Sequence, residues 1–194
     1  TRISDDLIWL VYVACFYARK TGDATVFDEI VSFLDAPVLA EGEMESYLRP
    51  DISTESSTIF EHCIRAIEKS LATGEHGLPL IGAGDWSDGL NHVGVEGKGE
   101  SIWLGWFLAK SLVEFAAICN LRGEPEREKK YLEQSAGLVK KLEKHGWDGE
   151  WYLRAYFDDG TPLGSKQNDD CQIDAIAQSW GVISGFGDET RVKQ

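Results

Sequence analysis

Two long apolar stretches constrain this chain most strongly towards a helical fold. Residues 7–18 are apolar on nearly every side of a predicted helix, and residues 101–121 carry a wide apolar helical face. A helix that is apolar all round has to be buried among other elements. The first stretch is too short to cross a bilayer, which takes about 20 apolar residues. The pattern therefore predicts inner helices of a larger array, and no membrane segment.

The remaining patterns also favour helices, with one exception. Ser4 is the expected N-cap of the first helix, and Thr58 and Glu61 form a capping box. We expect helices over residues 4–20, 24–34, 58–73, 101–121, 126–145 and 170–184. A long connection over residues 36–55 and a short β-hairpin over residues 151–164 interrupt them. Wide apolar faces on successive helices predict an all-α fold with a hairpin insertion, about half of an α/α toroid.

Charge and length limit the function classes. The chain has 194 residues and a net charge of −14, with no basic stripe to attract nucleic acid. It starts at a Thr and ends in the approach to a further helix, which predicts a single partial domain, residues 1–194, cut from a longer protein. We accordingly expect either a homodimer or a covalent link to further domains of a parent chain.

The four cysteines predict no metal site. Cys15, Cys63, Cys119 and Cys171 are far apart and lack metal-ligand or redox spacing. The first three occupy apolar helical patterns, where a free thiol behaves as a small buried hydrophobe. Free thiols in turn suggest a reducing, cytoplasmic compartment.

The loop at residues 84–91, GDWSDGLN, is the strongest candidate for chemistry. Trp86 stands between the carboxylates of Asp85 and Asp88, where a solvated loop seldom holds a large aromatic. An indole face can stack on the apolar face of a pyranose while carboxylates bind or protonate its oxygens. From the residues alone, the two acids are either a glycosidase pair or caps of the following turn.

Longer segments around this loop resemble a known family. The run GDWSDGLN followed by GKGESIWLGWFL resembles the GDWNDGMN and GESVWLGWFL segments of glycoside hydrolase family 94, the inverting glycoside phosphorylases. The resemblance extends over residues 2–180, with the segments in the same order. Residues 151–165, WYLRAYFDDGTPLGS, resemble in particular cyclic β-1,2-glucan synthases and 1,2-β-oligoglucan phosphorylases. Membership implies part of an (α/α)6 barrel.

The resemblance also implies roles for individual residues. Asp88 matches the family's general acid, and Trp86 matches a Trp that binds the donor sugar. Inorganic phosphate is the co-substrate that attacks the anomeric carbon with inversion, so neither a protein base nor a cofactor is implied. Ser87 replaces the family's common Asn, which predicts altered contacts rather than lost activity. The family's phosphate-binding residues lie outside the matched region, so activity is expected of a longer protein.

Several further residues are candidates with two interpretations each. Asp85 belongs either to the loop architecture or to sugar binding, and Glu100 is either a first-turn anion or a substrate ligand. Gln178, in a block that resembles the family, is either a buried polar core residue or a sugar contact. Asp5 and Asp6 either cap the first helix or line a site.

Three function hypotheses follow. The first is phosphorolysis or synthesis of a β-glucan, with β-1,2-glucan favoured. The second is an inverting hydrolase in which Asp88 is the acid and another carboxylate is the base. The third is a non-catalytic module that binds glucan or regulates a synthase. Phosphate dependence separates the first two, and in the third Asp88→Asn leaves glucan turnover unchanged.

Overall fold

The computed structural model describes residues 3–40, 43 and 46–193, except for the side chain of Asp88. Within these ranges, five α-helices form the body of the protein. They are α1 (Asp6–Thr21), α2 (Ile59–Ser70), α3 (Ile102–Leu121), α4 (Pro125–His145) and α5 (Ala175–Ser184). Single 3-10 turns cover Ala24–Asp28, Asp88–Leu90 and Arg191–Lys193.

Helix α3 is the centre of the fold. It packs against α1, α4 and α5, and its aromatic side chains Trp103, Trp106, Phe107 and Phe115 are fully buried. The Ser101 hydroxyl caps it by accepting the Leu104 N–H at 3.1 Å. By length and composition α3 could cross a membrane, but 78% of its most apolar window is buried inside the protein. A core helix of this kind has the same composition as a membrane span.

Helix α1 has the expected extent but a different cap. It ends at Gly22, whose φ of 76° closes the helix in the left-handed conformation. The N-cap is Asp5, without a side-chain capping bond, and the Ser4 hydroxyl instead donates to the Gly84 carbonyl at 3.2 Å. The prediction of Ser4 as N-cap is therefore wrong. Ser4 ties α1 to the loop at residues 84–91.

The prediction of a helix over residues 24–34 is also wrong. After one 3-10 turn the chain forms β1 (Ile30–Asp35), which pairs antiparallel with β2 (Asp51–Thr58). The expected connection over residues 36–55 thus shortens to residues 36–50, of which 41, 42, 44 and 45 lie outside the described residues. Ile30 and Val31 are β-branched and suit a strand once a partner strand is available. The fold is helical with two small sheets rather than all-α.

The second sheet extends the predicted hairpin by one strand. β4 (Ala155–Tyr156) pairs with β5 (Pro162–Leu163) as expected, and also with β3 (Glu100–Ser101). Helix α5 begins five residues later than predicted, because the Asp174 carboxylate accepts the Ile176 N–H at 2.9 Å and caps it there. Strand β3 brings the start of α3 beside the residues that precede β4.

The thiols are placed as expected. Cys15, Cys63 and Cys119 are buried and free, whereas Cys171 is exposed. Burial raises the pKa of Cys63 and of Cys119 to about 12, and that of Cys15 further. These three thiols are therefore un-ionised and unreactive at neutral pH. Among the described residues, no cluster of His, Cys, Asp and Glu could hold a metal ion.

We expect the isolated chain to self-associate. The outer face of α1 exposes Leu7, Leu10, Val13, Phe16 and Tyr17, each 40–55% accessible. A continuous apolar face of this kind is unfavourable in water and favours association. Light scattering after size exclusion should detect dimers or larger species, and the double variant Leu10→Glu/Val13→Glu should shift them towards monomer. Leu121→Glu, at an exposed site at the end of α3, is the control. A monodisperse wild-type monomer would contradict the prediction.

Candidate active site

The loop at residues 84–91 is anchored at its first residue. The Gly84 carbonyl accepts the Ser4 N–H at 3.0 Å, and the Gly84 N–H donates to the Ile81 carbonyl at 3.2 Å. Gly84 has a φ of 145°, a conformation that residues with a Cβ rarely adopt. Ile81 itself is fully buried in a small core with Val93 and Ala155. The first residue of the loop is therefore held in place by backbone hydrogen bonds and by the small buried core before it.

The carboxylate of Asp85 stabilises the conformation of this loop. It is fully buried, and both of its carboxylate oxygens bind the Arg154 guanidinium, with Nη1 to Oδ2 at 2.7 Å and Nη2 to Oδ1. The Ser101 hydroxyl donates to Oδ2 at 2.8 Å, and the Ser87 N–H donates to Oδ1 at 3.2 Å. Each oxygen thus accepts two hydrogen bonds from the chain. This geometry favours the loop-architecture interpretation of Asp85 over direct sugar binding.

Arg154 is the residue that sequence reasoning missed. Its side chain is fully buried, and its Nε lies 3.3 Å from Asp174 Oδ2 at the start of α5. The cation therefore joins the loop at residues 84–91 to the strand β4 and to α5. The available signal was an Arg inside the alternating apolar stretch of residues 151–157, where a buried charge needs a partner.

Trp86 is the exposed member of the site. Its side chain is 64% accessible, and its ring lies 5.8 Å from that of Trp9, tilted by 54°. Trp9 in turn packs on Phe107 at 4.6 Å, and Phe107 packs on Trp180 at 4.7 Å. The exposed indole thus rests on an aromatic cluster and has an accessible face. Such a face can stack on a sugar ring.

Asp88 begins the 3-10 turn Asp88–Leu90, and its side chain lies outside the described residues. The turn is closed by the Leu90 N–H, which donates to the Ser87 carbonyl at 3.0 Å. Ser87 is exposed and its hydroxyl makes no capping bond. The backbone therefore carries Asp88 on the same short loop as Trp86, three residues beyond the buried Asp85.

Glu100 is buried on the other face of β3. It is 2% exposed, and neighbouring residues of a strand point to opposite faces, so it lies away from Ser101 and Asp85. Its Oε1 accepts the Leu78 N–H at 2.8 Å, and its Oε2 lies 3.2 Å from the His76 N–H and 2.5 Å from His76 Nδ1. The carboxylate holds the turn before the loop, which favours a structural role.

Gln178 is likewise occupied by the fold. Its Nε2 donates to the Tyr152 carbonyl at 2.6 Å and to the Asp174 carbonyl at 3.1 Å, while its Oε1 accepts the Tyr152 N–H at 2.8 Å. The side chain therefore joins α5 to the segment before β4. Gln178 is half-buried rather than buried, and its backbone bonds favour a structural role over a sugar contact.

Asp158 fixes the loop at residues 94–99. Its carboxylate accepts the N–H groups of Glu96 at 2.8 Å, Lys98 at 2.8 Å and Gly99 at 2.9 Å. Burial would raise the pKa of Asp158, but these three backbone donors together hold it below its usual range. The ionised carboxylate of Asp158 thus fixes the conformation of residues 94–99, which lie between the loop at residues 84–91 and α3.

Asp5 is a buried acid beside the loop. It is 3% exposed, and burial raises its pKa, helped by the nearby carboxylates of Asp6 and Asp85 and opposed by a hydrogen bond from Trp9. The folded state therefore binds this proton more tightly than the unfolded chain, whose Asp pKa is about 3.9. The resulting stability is present below that value and is lost as pH rises through the raised pKa.

We expect Asp5→Asn to melt at a higher temperature than the wild type at pH 7, because the amide carries no buried charge. The difference in melting temperature should narrow as the pH falls from 7 through the raised pKa of Asp5, because the wild-type carboxyl then becomes protonated. Melting curves of both proteins over this pH range test the sign. A difference in melting temperature that increases as the pH falls would contradict the prediction.

Comparisons with known proteins identify the family of this chain. Residues 1–194 match the model of the glycosyl hydrolase 94 superfamily, catalytic domain. The chain is 45% identical over 192 residues to a cyclic β-(1,2)-glucan synthase of Rhizobium meliloti, covering 98% of this chain and 7% of that protein. It is 34% identical to a solabiose phosphorylase of Paenibacillus borealis, covering 98% of this chain and 23% of that protein. A cellobionic acid phosphorylase of Neurospora crassa is 32% identical, covering 94% and 21%.

The chain therefore spans less than a quarter of the length of each of these three relatives. The family match, in contrast, covers every residue of the sequence, including the loop at residues 84–91. On these grounds the resemblance found in the sequence is confirmed, and the chain belongs to the glycosyl hydrolase 94 superfamily, as part of its catalytic domain.

Proposed function

We propose that this chain supplies the general acid and the donor-sugar platform of an inverting glycoside phosphorylase, with β-1,2-glucan as the favoured substrate. The observation that carries the proposal is the exposed Trp86, held beside Asp88 on a loop whose other acid, Asp85, is locked to Arg154. The favoured linkage rests on the 45% identity to a cyclic β-(1,2)-glucan synthase.

In the proposed reaction, Trp86 stacks on the glucosyl unit to be transferred. Asp88 gives its proton to the glycosidic oxygen while a phosphate oxygen attacks the anomeric carbon from the opposite face. The carbon–oxygen bond breaks, its electron pair stays on the protonated leaving oxygen, and the β-linkage becomes an α-glucose 1-phosphate. Asp88 is left as a carboxylate and regains its proton from solvent.

The hydrogen bonding of Asp85 and Glu100 favours phosphorolysis over hydrolysis. An inverting hydrolase needs a second carboxylate to deprotonate water. Asp85 is neutralised by Arg154, and Glu100 is engaged by the His76 and Leu78 turn, so neither is available as a base. Phosphate is already an anion and attacks without one.

The architecture that we propose for the whole domain is an (α/α)6 barrel, of which the five helices here form a part. The phosphate site lies in the remainder of the longer protein, and inorganic phosphate is the co-substrate, with no other cofactor. The exposed face of α1 would be covered by that remainder. We further propose a cytoplasmic location for the domain.

The test uses the full-length protein that contains this chain. It is incubated with linear β-1,2-, β-1,3- and β-1,4-gluco-oligosaccharides, with and without inorganic phosphate, and glucose 1-phosphate and free glucose are measured. Phosphate-dependent glucose 1-phosphate from the β-1,2 series supports the proposal. Free glucose regardless of phosphate indicates a hydrolase. No product from any glucan indicates a binding module.

Trp86→Ala should weaken donor binding selectively. Loss of one stacking face is worth about 1.4 kcal/mol, which corresponds to roughly a tenfold higher KM for the oligosaccharide. The KM for phosphate should not change, because phosphate does not contact the indole. Trp86→Phe keeps an aromatic face, so its KM for the oligosaccharide should lie between those of the wild type and Trp86→Ala. Equal effects on both substrates would argue against a sugar platform.

A further inference from the structure

Within residues 3–40, 43 and 46–193, the buried carboxyl of Asp5 has one hydrogen-bond partner beyond its own backbone. Its Oδ2 accepts the indole N–H of Trp9 at 2.8 Å, and its Oδ1 is buried without a hydrogen-bond partner in the described part of the chain. The two residues are four apart at the start of α1, so they lie on the same side of the helix. Trp9 is thus held by a hydrogen bond to a buried acid that accepts no other side-chain hydrogen bond from the residues that the structure describes.

The segment that contains Asp5 and Trp9 is also bonded to the loop at residues 84–91 and to the residues just before it. Ile3 forms an antiparallel bridge with Gly82, and the Ser4 N–H donates to the Gly84 carbonyl at 3.0 Å. The Trp9 ring, whose N–H is hydrogen-bonded to Asp5, lies 5.8 Å from the ring of Trp86, measured between centroids. A path of direct contacts therefore leads from Asp5 through Trp9 to the exposed indole.

Stability alone does not account for Asp5. Burying a carboxyl with one unpaired oxygen is unfavourable unless other interactions compensate for it. Nor does the core require every indole N–H to be bonded, because the Nε1 atoms of Trp103 and Trp106 are buried and find no hydrogen-bond partner among the described residues. As far as the cost of burial is concerned, an apolar residue at position 5 would be more favourable. What it would lack is the hydrogen bond that selects one orientation of the Trp9 ring.

We propose that Asp5 is a positioning residue for sugar binding, acting through Trp9 on the orientation of Trp86. The inference rests on the proposed function insofar as it takes Trp86 as the sugar platform. Without the bond, the indole of Trp9 can turn about its terminal side-chain torsion, which has broad and nearly equivalent minima. The Trp9 ring that packs against Trp86 then has more than one orientation, and the exposed face of Trp86 is no longer fixed in the orientation that stacks on a sugar ring.

The test measures binding without turnover. Linear β-1,2-glucotriose is titrated calorimetrically into the full-length protein in the absence of phosphate. Asp5→Leu removes the acceptor, and Trp9→Phe removes the donor but keeps an aromatic ring. Each should weaken binding about fivefold, and the double variant should be no weaker than either, since both remove the same bond. Asp5→Asn keeps an oxygen acceptor and should bind within about twofold of the wild type.

Trp106→Phe is the matched control, because it shrinks a buried indole whose N–H has no hydrogen-bond partner in the part of the chain that the structure describes, and it should leave affinity unchanged. If Asp5→Leu does not fold, weakening in Trp9→Phe together with retained affinity in Asp5→Asn supports the proposal. It is overturned by wild-type affinity in Trp9→Phe, by a loss in Asp5→Asn equal to that in Asp5→Leu, or by additive losses in the double variant.

The binding assay also separates this inference from the function. A wild-type protein that binds the trisaccharide but releases no glucose 1-phosphate contradicts phosphorolysis, and the variants still decide the role of Asp5. A wild-type protein that binds no β-linked gluco-oligosaccharide overturns both.

Discussion

Asp88→Asn should lower the rate of glucose 1-phosphate release from a β-1,2-gluco-oligosaccharide by about 10²–10⁴-fold, the usual contribution of a general acid. The amide has the size of the carboxyl group but cannot protonate the leaving oxygen. Steady-state rates of the full-length protein with saturating phosphate provide the measurement. Affinity for the oligosaccharide should change little, because the acid acts mainly in the transition state.

A substrate that needs no protonation distinguishes an acid from a structural residue. β-Glucosyl fluoride loses fluoride without help from an acid, so the Asp88→Asn variant should retain most of its phosphate-dependent activity on it. Asp159→Asn, in an exposed turn, is the control and should behave as the wild type on both substrates. Equal losses on the fluoride and the oligosaccharide would argue against general-acid catalysis, and unchanged glucan turnover would favour a non-catalytic module.

Arg154→Leu should cause the largest loss of stability. It leaves the fully buried carboxylate of Asp85 without its cation, and removing one partner of a buried ion pair costs about 3–5 kcal/mol. The melting temperature of the domain should fall by roughly 6–20 °C. Activity should fall as well, since the loop that carries Trp86 and Asp88 loses its anchor.

The pair can be tested by removing both charges. Asp85→Leu/Arg154→Leu should recover part of the melting temperature lost in Arg154→Leu, because no uncompensated charge remains, but it should not recover activity. Lys98→Leu breaks an exposed pair with Glu96 and should leave the melting temperature nearly unchanged. A double variant less stable than Arg154→Leu would show that the ion pair is not the source of the loss.

Sequence reasoning was most successful where the signal is local. The extent of α3 and α4 follows from apolar periodicity, and the N-cap of α2 at Thr58 follows from the local capping-box motif. It failed at β1, because a strand is stabilised by a partner, and β2 lies beyond a connection that gave no sign of pairing. Apolar residues at 30, 31 and 34 fit both a short helix and a strand.

The candidate site divides in the same way. The sequence by itself determined the family, the helical class and the loop that carries Trp86 and Asp88, since composition and motif are properties of contiguous residues. Only the tertiary structure decided that Asp85 pairs with Arg154, that Glu100 and Gln178 bind backbone, and that Asp5 supports Trp9. Whether a polar side chain is free for a substrate depends on which distant groups surround it in the fold, and spacing along the chain carries no record of that.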